Sequence, residues 1–231
     1  PMRGRFKDYT SYASATFRES FASGEVSDAY VVKAETFASA YIENLGSGKF
    51  ALHNLPLQAQ FAPIYGMVCK DVNGDGNLDV LCVGNSYATE VQTGRYDAQG
   101  SVLLIGNGKA RPDDPVGRGN FIADKKQINV IGDNRSLSQL INADGSSLFL
   151  VGSNADSLHV YRLNEAQQKV VTIDAYDAYA IITARNGMKC RQEFYYGSTY
   201  LSQSSRRLTV APNIQSVVIY NYGGKKREFN F

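Results

Sequence analysis

The chain has 231 residues, 43% of them hydrophobic, and a formal net charge of +2. That length allows one large or two smaller domains with a sizeable core. The near-neutral charge gives no general reason to expect nucleic acid or an anionic membrane as a partner, and no apolar run reaches the ~18 residues that a membrane helix needs.

The chain opens Pro-Met-Arg-Gly, without the charged and apolar regions of a signal peptide, and reads as starting at a fragment boundary. Within a segment covering residues 1–36, Ala13, Phe17 and Phe21 recur at i, i+4, i+8. This spacing predicts one short helix over residues 12–21. Beyond it, short runs of β-formers at 30–32, 66–69, 80–83, 102–105, 148–151 and 158–163 alternate with Gly, Asn and Asp. The pattern predicts an all-β sandwich, barrel or propeller.

Two stretches look like internal copies. Residues 43–50 and, in weaker form, 104–110 each read as strand, Gly-x-Gly turn and return strand. Residues 75–85 recur about 69 residues later as 144–154. Two insertions break the pattern, at 86–100 and at 111–120. The first carries Tyr87, Arg95 and Tyr96, a candidate contact loop for a ligand whose bland alternative is a solvated loop. Residues 164–169 are polar and read as a linker. After it, 179–184, 192–196, 208–211 and 217–222 read as strands of a second small β module over 170–231. From residue 175 onward eight Lys/Arg oppose only Asp177, Glu193 and Glu228. The spacing shows no interleaved aromatic reading surface of the kind nucleic-acid binders use, so this reads as a solvated basic face.

The most specific chemistry is at 71–79, D-V-N-G-D-G-N-L-D. Asp71, Asn73 and Asp75 offer side-chain oxygens at alternate positions. Asn77 would add a backbone carbonyl, and Asp79 would close the site. Such an oxygen set suits Ca²⁺, which takes ~6–8 hard ligands. No His or Cys sits in the loop to favour a transition metal. An EF-hand would need a Glu where Cys82 stands, and amphipathic helices on both sides. The flanks read as strands instead, so the prediction is a β-hairpin calcium site. In the second copy Leu140 and Leu148 stand for Asp71 and Asp79, so one site is expected rather than two.

The three cysteines do not form a disulfide framework. Cys69 and Cys82 flank the loop and are expected on facing strands, one step out of register. A disulfide and two free, buried thiols both remain open readings. His53 and His159 belong to no ligand or nucleophile motif and read as packing or surface residues. No nucleophile elbow, Walker loop or dinucleotide fingerprint occurs.

Residues 61–66, 71–79 and 83–85 together resemble an FG-GAP/VCBS repeat, and 41–50 resembles the outer strands of a preceding unit. The tail at 192–204, with G-S-T-Y-L-S-Q-S, resembles an ASPIC/UnbV module. The resemblance implies about two four-stranded β-propeller blades over 37–163, an ASPIC/UnbV-like module over 170–231, and bound Ca²⁺. It implies a secreted or cell-surface protein, associated with the outer membrane, in calcium-rich surroundings. The expected role is non-enzymatic recognition of a glycan or surface protein. A calcium-dependent polysaccharide-degrading propeller enzyme and a purely structural part of a surface assembly are the alternatives. Two blades cannot bury their own faces, so the remaining blades of a longer protein, or a second copy of the chain, are the expected partners.

Overall fold

The computed structural model describes residues 4–75, 77–108, 121–124, 129–163 and 168–231. The chain divides into two units, Pro1–Phe37 and Ala38–Phe231.

In the first unit the helix comes earlier and is shorter than its apolar spacing predicts. Helix α1 spans Tyr9–Ser14. Asp8 caps it by accepting the Ser11 N–H at 2.7 Å. It stops because Ala15 is extended, with ψ 138°, and because Thr16 starts a capping box of its own. The Thr16 N–H donates to Glu19 Oε2 at 2.7 Å, and the Glu19 N–H returns to Thr16 Oγ1 at 3.4 Å. Phe17 and Phe21 still touch, with ring centroids 4.8 Å apart. Residues 30–32 form no strand: Tyr30, Val31 and Val32 are exposed and pair with nothing in the described ladders. Their β-propensity is real, but a strand needs a partner.

The second unit is all-β. Strands β1 (Ala40–Gly46) and β2 (Lys49–Asn54) form a hairpin, with His53 inside β2 rather than in a turn. Strands β3 (Ile64–Lys70), β4 (Asp79–Gly84), β5 (Val102–Gly106) and β6 (Phe121–Ala123) make a four-stranded antiparallel meander. Strands β7 (Asn134–Ile141), β8 (Ser147–Ser153) and β9 (His159–Arg162) make a three-stranded one. Strand β5 pairs with β6. The strand expected directly after Gly108 falls on residues 109–110, which, with the whole of the predicted break at 111–120, lie outside the described set. So do residues 164–167 of the predicted linker. Its last residue, Lys169, opens strand β10 (Lys169–Thr172).

Strand β10 pairs with β13 (Arg207–Val210). Strands β11 (Asp177–Ala184), β12 (Lys189–Glu193), β14 (Ile214–Asn221) and β15 (Lys226–Asn230) form a sheet in the order β12-β11-β14-β15. The strand expected over 192–196 begins and ends earlier. The turn at Gly187, with φ +83°, sets Lys189 opposite Thr183, and pairing runs out at Glu193. Strand β7 escapes sequence reading because Asn, Arg, Ser and Gln dilute its apolar positions.

Three cores hold the unit together. One joins Val68, Leu81 and Val83 of the meander to Leu137, Phe149 and Val151 of the second sheet. A second lies on the opposite face of β4 and β5, where Cys82, Val102 and Leu104 meet Ala59. The third fills the space between the two C-terminal sheets with Val171, Phe194, Leu208, Val217 and Ile219. Each fully buried Val or Leu contributes about 1.5–3 kcal/mol. Strand β4 therefore reads as a continuous apolar run because both of its faces are covered. Strands β3 and β7 approach so closely that Gly66 has no room for a side chain. A Cβ there would lie 2.7 Å from Leu137 Cβ and from its backbone nitrogen.

All three cysteines are free. The register sets Cys69 opposite Val80 and Cys82 opposite Met67, two positions apart along the hairpin rather than one. Cys82 is buried, and that burial, with Cys69 as a smaller cause, pushes its thiol up to about 12. Cys69 is exposed, so only one of the pair behaves as a buried hydrophobe.

Candidate metal centre and the neighbouring loop

The acidic loop closes the β3–β4 hairpin, whose last pair is Lys70 with Asp79. Its shape comes from the short side chains themselves. Asp71 Oδ1 accepts the Gly74 N–H at 2.7 Å, Asn73 Oδ1 accepts that of Asp75 at 2.9 Å, and Asp75 Oδ1 accepts that of Asn77 at 2.8 Å. These are Asx turns in succession. Asn73 Nδ2 also donates to Asp75 Oδ2 at 3.1 Å. Gly74 takes φ +79°, a conformation that suits glycine.

Asp79 differs from the other ligand candidates. It is 1% exposed. Its Oδ2 accepts the Val72 N–H and its Oδ1 accepts the Gly106 N–H, both at 2.9 Å. One carboxylate thus joins the loop to the end of β5. The approach is close: a Cβ on Gly106 would lie 2.2 Å from the Leu78 carbonyl oxygen, and one on Gly108 would lie 2.1 Å from Asn77 Oδ1. The Asp79 carboxyl is held above its ordinary value, chiefly by burial. The two backbone bonds oppose that shift, while the charges of Asp75 and Asp71 add to it. No cationic side chain among the described residues bonds to it; Lys70 sends its Nζ to Ser147 Oγ at 2.8 Å.

Asp71, Asn73, Asp75, Asn77 and Asp79 are therefore gathered on one hairpin, with their carboxylates near enough to repel. Several of their oxygens are turned onto the loop's own N–H groups. Among the described residues no three His, Cys, Asp or Glu side chains converge as a metal-binding group. The donor chemistry, all oxygen with three carboxylates, suits a hard cation.

The insertion at 86–100 is an ordered loop pinched at its neck. Ser86 and Tyr96 exchange backbone hydrogen bonds of 2.8 and 2.9 Å. Arg95 stands over the Tyr87 ring at 5.0 Å. The candidate contact residues Tyr87, Arg95 and Tyr96 thus lie together, with Tyr96 exposed. Below them, buried Asn85 takes φ +95° and binds both backbone groups of Gln99, donating to its oxygen at 2.6 Å and accepting from its nitrogen at 3.0 Å.

Sequence reading misses several residues around this neck. Arg135 pairs with buried Asp133 at 2.9 Å, reaches Ser86 Oγ at 3.4 Å and stands 4.5 Å over the Tyr65 ring. Tyr65 in turn meets Tyr200 at 5.6 Å. The segment around Tyr200 lines the edge of β7. Ser202, Ser204 and Ser205 accept the N–H groups of Leu137, Gln139 and Ile141 at 3.0, 3.0 and 3.1 Å. Hydroxyls thus satisfy alternate edge donors where another strand would otherwise pair. The serine repetition is visible in the sequence; its target, more than 60 residues away, is not. His53 bonds Glu43 at 2.8 Å and stacks on Tyr41, a packing role.

Comparison with protein-family models, with curated proteins and with solved structures finds no match to this chain.

Proposed function

We propose that this chain is a calcium-binding repeat protein of FG-GAP/VCBS type, working without catalysis in extracellular or cell-surface recognition of a protein or glycan. Residues 37–163 are read as propeller blades and 170–231 as an ASPIC/UnbV-like module. Two features favour blades: the β3–β6 meander is antiparallel with four strands, and the first strands of successive sheets, β3 and β7, lie side by side. The partners are then further blades or a second copy. The register places Ile42, Phe50 and Leu52 on one face of the β1–β2 hairpin, and all three are exposed, as an unfinished stack requires.

The observation that carries the calcium reading is Asp79: a buried carboxylate with no cationic partner among the described residues, held above its ordinary value chiefly by burial and further by the charges of Asp75 and Asp71. Ca²⁺ would supply the missing positive charge, held by Asp71, Asn73 and Asp75 side chains, the Asn77 carbonyl and Asp79. The chain's own contribution is to fix those oxygens by Asx turns before the ion arrives. Isothermal titration of the full chain with CaCl₂ tests this. One binding event, lost in Asp71→Ala/Asp75→Ala while the circular dichroism spectrum is kept, is expected. No heat at millimolar calcium would reject the reading.

A further inference from the structure

We infer that one end of the C-terminal sheet is a docking surface for a uronic-acid glycan. This deepens the recognition role proposed above and rests on it. Strand β11 begins at this end, and β12 and β14 finish there. Tyr176, Tyr195, Tyr196 and Tyr222 cluster at it, between 63 and 77% exposed. Hydrogen bonds tie three of them to this end. The Tyr222 N–H donates to the Tyr176 carbonyl at 3.1 Å, and the Tyr196 hydroxyl donates to the Ala175 carbonyl at 2.9 Å. The residues lie up to 46 positions apart in the sequence (222 minus 176), and the sheet, not their spacing, brings them to one end.

The same end carries positive charge in excess. Arg206 stands 4.0 Å over the Tyr196 ring and spends its N–H groups on the carbonyls of Asp174, Ala175, Asp177 and Phe194. It fixes the turn and leaves its charge unneutralised. Lys225 and Lys226 follow Tyr222 in a turn organised by Asn221, whose Oδ1 accepts the Lys225 N–H at 2.9 Å. Among the described residues no carboxylate pairs with Arg206, Lys225 or Lys226; Asp174 and Asp177 are both taken by Arg227.

Exposed tyrosine rings offer large, rigid, amphipathic contact area with a polar tip. Sugar rings stack on such faces, and the Lys225 and Lys226 ammonium groups that follow Tyr222, with no carboxylate paired to them among the described residues, offer charge to the carboxylates of a uronic-acid chain. A nucleic acid strand would call for a continuous basic groove. The charge of this patch is complementary to a polyuronate.

The test titrates the full chain with oligo-guluronate, heparin, dextran and a single-stranded oligonucleotide, by calorimetry. The arms are run in calcium and repeated in EGTA with the Asp71→Ala/Asp75→Ala variant. Oligo-guluronate binding that weakens roughly tenfold in Tyr222→Ala and again in Lys225→Glu/Lys226→Glu is expected. Both variants alter exposed residues at the β14–β15 connection, and unchanged melting temperatures show that they fold. No binding of oligo-guluronate, binding indifferent to the variants, or tighter binding of heparin, dextran or the oligonucleotide each overturns the inference. Loss of oligo-guluronate binding beside intact calcium binding removes the patch alone. Guluronate binding by a chain that takes up no calcium removes the calcium reading alone.

Discussion

The hairpins β3–β4 and β7–β8 occupy corresponding places in neighbouring sheets and handle charge in opposite ways. The first closes on Lys70 and Asp79 around eight loop residues, 71–78; the second closes on Ile141 and Ser147 around five, 142–146. Both closing positions are sealed from solvent, Asp79 at 1% and Ser147 at 0% exposure. In the first, a carboxylate is buried with two more nearby and is pushed up by burial and by those charges. In the second, a neutral hydroxyl receives Lys70 Nζ and Gln139 Nε2 at 2.8 and 3.0 Å. The turn acid Asp144 is exposed, and the Ser146 hydroxyl and N–H hold it below its ordinary value. The second hairpin is electrostatically complete. The first buries a carboxylate at its closing pair, which costs stability unless it is paired. The same turn chemistry thus closes a hairpin either on a neutral hydroxyl or on a buried carboxylate, depending on which residue the ladder buries at its end.

The sharpest way to break this comparison is Asp79→Ala. It strands the Val72 and Gly106 N–H groups, and about 3 kcal/mol of stability should be lost in urea unfolding. Ser147→Ala, which removes a hydroxyl but strands no backbone N–H, should cost about 1 kcal/mol. Equal losses would erase the distinction between the two hairpins. Calcium sharpens it. At about 100-fold above Kd the ion should stabilise the chain by about 2.7 kcal/mol, read as a rise in melting temperature that EGTA reverses. Asp71→Ala should abolish the rise, and Asp144→Ala should leave it intact. Gly66→Ala tests the contact that brings the two hairpins together. Its methyl would press on Leu137, and a loss of about 2 kcal/mol is expected.

The smallest effect is on the pH profile. A carboxyl whose pKa is raised by folding binds its proton more tightly in the native state. Asp79 therefore lowers stability as pH rises from the ordinary aspartate range near ~4 through its raised native value. Asp144 works the other way, adding stability above the ordinary range and losing it as pH falls. Difference profiles of Asp79→Asn and Asp144→Asn against the parent should have opposite slopes over pH 3–7. Saturating calcium should flatten the first alone.

Local features are legible in the amino-acid sequence. The D-x-N-x-D-G run with β-formers on both sides specifies a hairpin with an oxygen-rich turn, because Asx turns and strand propensity act over a few residues. The all-β class follows from the same short-range pattern. Where local cues competed, the reading slipped. The apolar spacing at 12–21 was overridden by the caps at Asp8 and Thr16, and residues 30–32 lacked a partner. What only tertiary structure decided is long-range. Asp79 is buried and bonded because Gly106 arrives from β5, 27 residues on. Serines from 202–205 finish the edge of β7, and tyrosines from three strand ends form one patch. No periodicity encodes these contacts, since they depend on which strands the cores bring side by side.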